Sequence, residues 1–168
     1  MFDNIYVIQN IIALAGGKIK GRKKIQNIVY ILEQLITVFD KPHKFRWSYY
    51  GVFSEELASE LSLGETFGIL KESRSQEQRM CFLEVTDQPI CSREKSLPVD
   101  LIRYLNSREH EELEIISSII YFGNQGLDWH ETRKRLLVFR GHLKDFLKQG
   151  FAAYNRVVQL EKQTPQAP

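Results

Sequence analysis

Apolar residues recur every three or four positions near the start of the chain, which is the spacing of one helix face. The first series covers residues 5–15 and predicts an amphipathic helix that ends at Gly16 and Gly17, because glycine adopts the left-handed C-cap conformation without strain. A second series covers residues 25–36 and is widened by Tyr30 and Ile31. This width predicts a central helix that is buried on more than one side.

The spacing of apolar residues changes to two after residue 42. Phe45, Trp47 and Tyr49 alternate with more polar neighbours, as expected for a half-buried strand. The pattern predicts a strand that ends at Gly51, with Trp47 and Tyr49 in the core and Tyr50 on the opposite side.

A third helix is predicted to begin at Ser54, a good N-cap residue, with Glu55 and Glu56 in its first turn. Residues 68–72 and 80–85 then predict a β-hairpin around a polar turn. The order of helix, strand, helix and hairpin is that of a winged helix. A standard winged helix has two helices between its first strand and the hairpin, whereas residues 54–67 provide one.

The second half of the chain shows a helical pattern after a proline-containing linker at residues 87–98. A short helix is predicted around residues 99–105, and Ser107 is expected to cap the next helix, which runs to the loop at 123–126. Asp128 and Glu131 have the form of a capping box that opens a long helix lined by apolar residues from Leu136 to Leu147.

The end of that long helix is left open by the sequence. Gly150 either breaks it or is tolerated within it, because the apolar pattern continues to Leu160. This last helix packs within the chain or against a second copy, so a homodimer stays an alternative. Residues 161–168 are polar and proline-rich, which predicts a disordered tail.

The composition is that of a globular protein, with 43% hydrophobic and 26% charged residues among 168, and it excludes disordered and collagen-like classes. We expect an α+β, mainly helical protein with one compact domain over residues 1–160. Residues 1–86 form its winged-helix-like half with a small β-hairpin, and residues 99–160 form its helical half. The start has no basic signal region and the apolar runs are too short for a bilayer, so a cytoplasmic protein that does not contact membranes is expected.

Catalytic and metal-binding motifs are absent from the sequence. The four histidines form no zinc-binding pair, the two cysteines have no partner pair, and no phosphate-binding loop or hydrolase motif is present. The histidines are interpreted as solvated or capping, and the glutamates at 109, 111, 112 and 114 as a solvated first turn. We therefore expect no enzyme activity, no cofactor and no metal.

The formal net charge of +2 is too small to indicate nucleic-acid binding, so local clusters must carry any such claim. The basic segment at residues 18–24 is one cluster, and it is either a contact for phosphates or an acidic partner or a solvated loop. An aromatic stretch with one arginine at residues 46–53 has the composition of binding hot spots. The candidate partner-binding residues are Arg22, Lys23, Lys24, Arg46, Tyr50 and Phe53, and the candidate nucleic-acid contacts are Lys18, Lys20, Arg22, Lys23, Arg74 and Arg79.

Three segments together resemble the YwgA-like and Panacea (SocA-type antitoxin) group. They are residues 21–32 (GRKKIQNIVYIL), 49–57 (YYGVFSEEL) and 68–70 (GIL). The chain departs from the pattern at Val52, where proline is usual, and at Phe53, where tyrosine is usual. The resemblance implies a largely helical, winged-helix-like domain without catalytic residues, found in small prokaryotic and phage-associated proteins, some of which neutralise a toxin by binding it.

Two functions follow as hypotheses. The first is a non-catalytic protein-interaction module of antitoxin or regulatory-adaptor type, whose partner is a toxin or a regulated protein. The alternative is a winged-helix transcriptional regulator, with the basic segment and the hairpin arginines on DNA phosphates.

Overall fold

The computed structural model describes residues 3–49, 51–75, 80–86 and 97–164. The first half contains α1 (Asp3–Leu14), β1 (Lys18–Lys20), α2 (Arg22–Leu35), β2 (Arg46–Ser48), β3 (Gly51–Phe53), α3 (Glu55–Thr66), β4 (Leu70–Ser75) and β5 (Met80–Val85). The second half contains α4 (Val99–Asn106), α5 (His110–Gly123), α6 (Trp129–Phe139), a 3-10 helix (Gly141–Phe146) and α7 (Leu147–Gln163). The predicted α+β, mainly helical class is confirmed.

A three-stranded antiparallel sheet has the strand order β1-β5-β4. The predicted hairpin of β4 and β5 is confirmed, with Glu72 opposite Leu83, while its turn at residues 76–79 lies outside the described residues. Strand β1 lies in the basic segment, where no strand was predicted, and its pairing with β5 rules out the solvated-loop alternative for residues 18–20. Ile19 is fully buried opposite Leu83, and this one apolar residue between two lysines is too short a pattern to indicate a strand.

The aromatic stretch forms a separate two-stranded hairpin of β2 and β3, with Trp47 opposite Val52. The chain turns after Ser48, so Gly51 begins a strand, where the sequence pattern predicted an end. Trp47 packs against the core as predicted. Tyr49 lies in the turn and is 80% exposed, which corrects its assignment to the core. Tyr50 lies outside the described residues.

One hydrophobic core joins both halves of the chain. It contains side chains of α1, α2, α3 and the three-stranded sheet together with those of α4, α5 and α7. In α2, every residue from 24 to 32 is buried, which confirms a central helix covered on more than one side. A second, smaller cluster joins α5 to the last three helices and consists of Ile115, Ile119, Leu136, Leu143 and Leu147.

Two of the three predicted helix N-caps are present. The Ser54 hydroxyl accepts a hydrogen bond from Leu57 N at 3.3 Å, and the Asp128 carboxylate accepts one from Glu131 N at 2.8 Å. The prediction for Ser107 was wrong. It ends α4 and donates to Tyr104 O at 2.7 Å, and α5 is capped by Glu109.

The predicted long C-terminal helix is interrupted at Arg140, whose backbone leaves the helical conformation (φ −140°, ψ 52°). Phe139, predicted to line the inner face, is 64% exposed as a result. Gly150 lies inside α7, so the helix continues through it. Helix α7 runs on to Gln163, into the predicted tail, and residues 165–168 and most of the predicted linker lie outside the described residues.

Candidate functional site

A buried carboxylate on α5, Glu114, is contacted by three basic side chains from distant parts of the chain. Lys23 Nζ lies 2.7 Å from Oε2, Arg140 Nε lies 3.3 Å from Oε1, and His142 Nε2 lies 3.9 Å from Oε2. These four residues are called the Glu114 cluster below. The expectation that Glu114 belongs to a solvated face was wrong, because its side chain is 1% exposed.

The charges of the Glu114 cluster do not balance. One carboxylate faces the ammonium of Lys23 and the guanidinium of Arg140, and Arg140 is only 5% exposed. A buried charge is stable only beside an opposite charge, so Arg140 and Glu114 hold each other inside the protein. Glu114 Oε1 accepts no hydrogen bond from any described residue.

The aromatic hairpin lies directly over this cluster. Arg140 donates to Ser48 O at 2.5 Å, and its guanidinium lies 5.1 Å from the ring centre of Trp47 and 5.4 Å from that of Tyr49. The backbone of Gly51 lies close to the Glu114 side chain, since a β-carbon at Gly51 would be 3.3 Å from Glu114 Cγ. Its φ of +90° is also a conformation that side-chain-bearing residues rarely adopt. Glycine therefore allows the hairpin to sit on the carboxylate.

Buried polar side chains fix the helices that carry the cluster. Asn27 accepts a hydrogen bond from the Ser117 hydroxyl at 2.6 Å, which joins α2 to α5. Gln26 exchanges two hydrogen bonds of 2.9 Å with the backbone of Ser54, which joins α2 to the start of α3. Trp47 Nε1 donates to the Ser118 hydroxyl at 3.1 Å. The hairpin, α2 and α5 are thus held in one arrangement.

Most of the predicted basic segment is paired within the molecule. Arg22 forms ion pairs with Glu65 at 2.5 Å and with Glu72 at 3.6 Å. Lys24 donates to Asn106 O at 2.5 Å, and burial lowers the pKa of its ammonium. Of the predicted binding residues in this segment, only Lys23 belongs to the Glu114 cluster.

The remaining predicted residues lie on both sheets. On the two-stranded sheet, Arg46 forms an ion pair with Glu55, and Phe53 is half-buried opposite it. On the three-stranded sheet, Lys18 Nζ lies 5.3 Å from the ring centre of Phe82, Lys20 is half-buried and Arg74 is exposed. Tyr50 and Arg79 lie outside the described residues.

One histidine departs from the solvated or capping role expected for it. His43 is buried, with Nδ1 in a short contact with Glu33 and Nε2 2.6 Å from Glu60. Burial of the ring lowers its pKa, but the hydrogen bonds and charges of the two carboxylates outweigh burial and raise the pKa to about 9. Both ring nitrogens are occupied, so His43 ties α2 to α3. No local motif could have indicated this, because the carboxylates are 10 and 17 residues away.

The described parts of the chain hold neither a metal-binding group of side chains nor a membrane-spanning helix. No group of three or more His, Cys, Asp or Glu side chains there is placed to hold a metal ion. None of the helices in those parts is both long enough and apolar enough to cross a bilayer.

Comparison with known proteins finds a relative over most of the chain. No family model matches the chain, and no solved structure matches it. The uncharacterised protein YwgA of Bacillus subtilis (strain 168) is 28% identical over 137 residues, which cover 77% of this chain and 80% of that protein. The chain is similar to YwgA. This supports the YwgA-like part of the resemblance, and it leaves the Panacea antitoxin part as a hypothesis.

Proposed function

We propose that the protein is a non-catalytic interaction module that binds a partner protein, in the manner of an antitoxin or a regulatory adaptor. The contact surface is centred on the β2–β3 hairpin and the Glu114 cluster. The observation that carries the proposal is the placement of Tyr49, 80% exposed, over the buried guanidinium of Arg140. Tyrosine, tryptophan and arginine are the residues most enriched at binding hot spots.

The hairpin is held in place before any partner arrives. Arg140 donates a hydrogen bond to Ser48 O, Trp47 donates one to the Ser118 hydroxyl, and Gly51 lies so close to Glu114 that a β-carbon there would be 3.3 Å from its Cγ. A surface that is already ordered loses less conformational entropy on binding. An exposed aromatic side chain on such a base is a suitable anchor for a partner protein.

We also propose that the first half is winged-helix-like. With β1 as its first strand, two helices, α2 and α3, precede the β4–β5 hairpin, and β1 pairs with β5. The strand that the sequence pattern took as first is instead part of the β2–β3 hairpin, which is inserted between the two helices. This order favours the alternative function, a DNA-binding regulator, as a second candidate.

The charges of α3 argue against DNA. In a helix-turn-helix arrangement the second helix enters the major groove, and α3 takes that position. Helix α3 has no lysine or arginine and carries four acidic residues, Glu55, Glu56, Glu60 and Glu65. Acidic side chains repel DNA phosphates, and the basic segment is largely occupied by internal contacts. A protein partner is therefore preferred.

The experiment is affinity capture of the tagged full chain from its native host, with two exposed side chains replaced in turn. Tyr49→Ser removes the proposed anchor, and Arg74→Ser is the control on the other sheet. We expect a stoichiometric protein with the wild type and with Arg74→Ser, and its loss with Tyr49→Ser. Absence of any stoichiometric protein, or equal capture by Tyr49→Ser, would refute the proposal.

A growth assay tests the antitoxin form of the proposal. Each neighbouring small reading frame is expressed with and without the protein. The antitoxin form predicts that one of them arrests growth and that co-expression of the wild type, but not of Tyr49→Ser, restores it. If no neighbouring frame affects growth, the antitoxin form is wrong and the adaptor form remains to be judged by affinity capture.

A further inference from the structure

Helix α6 carries a second exposed surface that the Glu114 cluster does not account for. Only Thr132 and Leu136 of its eleven residues are buried. Val138 is 74% exposed and Phe139 is 64% exposed, and Leu137 is also exposed. Large apolar side chains grouped at a surface in this way mark interaction sites.

Basic and apolar side chains on α6 are arranged in two successive turns. Each basic residue is followed four positions later, and therefore on the same side of the helix, by an exposed apolar residue. The three pairs are Arg133 with Leu137, Lys134 with Val138, and Arg135 with Phe139. These six residues are called the α6 surface below. It presents a band of positive charge beside a band of apolar groups.

The positive charge of this region is less compensated than that of the basic segment near the N-terminus. Whereas Arg22 and Lys23 each pair with a glutamate, neither Arg133 nor Lys134 forms an ion pair with a described residue. Exposed Lys144 and Lys148, in the 3-10 helix and at the start of α7, add two more basic residues nearby along the chain. A complementary partner must supply negative charge.

The α6 surface is continuous with the aromatic hairpin. The ring centre of Phe139 lies 6.3 Å from that of Trp47, and Trp47 contacts the guanidinium of Arg140. A partner seated on Tyr49 can therefore reach α6 without crossing a gap.

We propose that the α6 surface binds an acidic segment of a partner protein in which Asp or Glu residues lie next to bulky apolar side chains. This inference rests on the proposed function and names the chemistry of the partner. A second copy of the chain is disfavoured, because its own α6 surface carries three basic residues and no acidic one and so cannot supply the negative charge that this surface lacks.

Two other partners are disfavoured by the same arrangement. Interfacial membrane helices place polar and apolar residues on opposite faces, whereas α6 separates them along its axis. Single-stranded nucleic acids bind along successive aromatic side chains that stack with bases, whereas Phe139 is the only aromatic residue of the α6 surface.

The test uses the purified full chain and a library of short random peptides displayed on phage. The selected peptides are then synthesised and titrated by fluorescence anisotropy against four proteins. These are the wild type, Lys134→Glu, Val138→Ser and the control Lys162→Glu, which makes the same charge change at an exposed position near the end of α7.

We expect the selected peptides to be enriched in acidic residues beside apolar ones. Their affinity should fall at least about tenfold with Lys134→Glu and with Val138→Ser and stay unchanged with Lys162→Glu, and it should weaken as salt is raised. Selected peptides without acidic enrichment, no selected peptides, or equal binding by all four proteins would overturn the inference. So would tighter binding to phosphatidylserine-containing vesicles or to an oligonucleotide than to any peptide.

The failure of this inference is distinguishable from failure of the proposed function. Capture of a stoichiometric host protein that depends on Tyr49, but not on Lys134 or Val138, would leave the interaction module in place and remove the α6 surface from it.

Discussion

Gly150 of α7 lies so close to Ile115 of α5 that a β-carbon at position 150 would be 2.7 Å from three atoms of the isoleucine side chain. This distance is shorter than a van der Waals contact, so the atoms would overlap. Only glycine at position 150 allows the two helices to pack this closely. The close approach also holds α5, and with it Glu114, against the last helix.

The first prediction is that Gly150→Ala lowers the free energy of unfolding by about 1–3 kcal/mol. This loss should occur although alanine raises intrinsic helix stability by about 1 kcal/mol. Gly123→Ala is the control, because no atom would lie within 4 Å of its β-carbon. Urea denaturation of both variants provides the comparison, and equal stabilities would contradict the packing argument.

Stability should depend on pH through His43. Its folded pKa of about 9 lies above the ordinary value near 6.5, so the folded state binds the proton more tightly. The protonated His43 therefore adds up to about 3 kcal/mol to the free energy of unfolding. This contribution is fully present below about pH 6.5 and is lost as the pH rises to about 9. Unfolding measured across this range should show a steeper loss of stability with rising pH in the wild type than in His43→Gln. Parallel curves would rule out the role of His43.

The two main cations of the Glu114 cluster should contribute unequally to stability. Arg140→Met leaves a buried carboxylate without its buried countercharge and should cost about 3–5 kcal/mol. Lys23→Met removes a cation that is 40% exposed and should cost about 1 kcal/mol or less, because water screens it. Chemical denaturation measures both, and the double variants with Glu114→Gln give the coupling energies. A larger loss for Lys23 than for Arg140 would contradict the assigned burial.

Binding to duplex DNA should be weak and only slightly dependent on salt. A protein that contacts several phosphates loses affinity with a slope of about −0.9 per phosphate on logarithmic axes. Because Arg22 and Lys24 are engaged internally and α3 is acidic, we expect a slope shallower than about −2. Anisotropy titrations at several salt concentrations measure it. A steep slope with tight, sequence-dependent binding would favour the regulator instead.

The sequence by itself determined most of the helices, but not the break at Arg140 that separates α6 from α7. The burial of α2, the N-cap at Ser54 and the capping box of Asp128 and Glu131 each depend on residues that are close together in the sequence. A helix turn joins positions three and four apart, so periodic apolar spacing and capping side chains are local signals. They are readable without knowing where the rest of the chain lies.

Only the tertiary structure decided which charges are buried and which aromatic residue is exposed. Strand β1 pairs with residues more than sixty positions away, Glu114 meets Lys23 across 91 residues, and Arg140 reaches Ser48 across 92. Tyr49 is exposed because the chain turns where the alternation of two suggested that it continues. Burial of a charge depends on which opposite charge the fold brings beside it, and no spacing along the chain encodes that encounter.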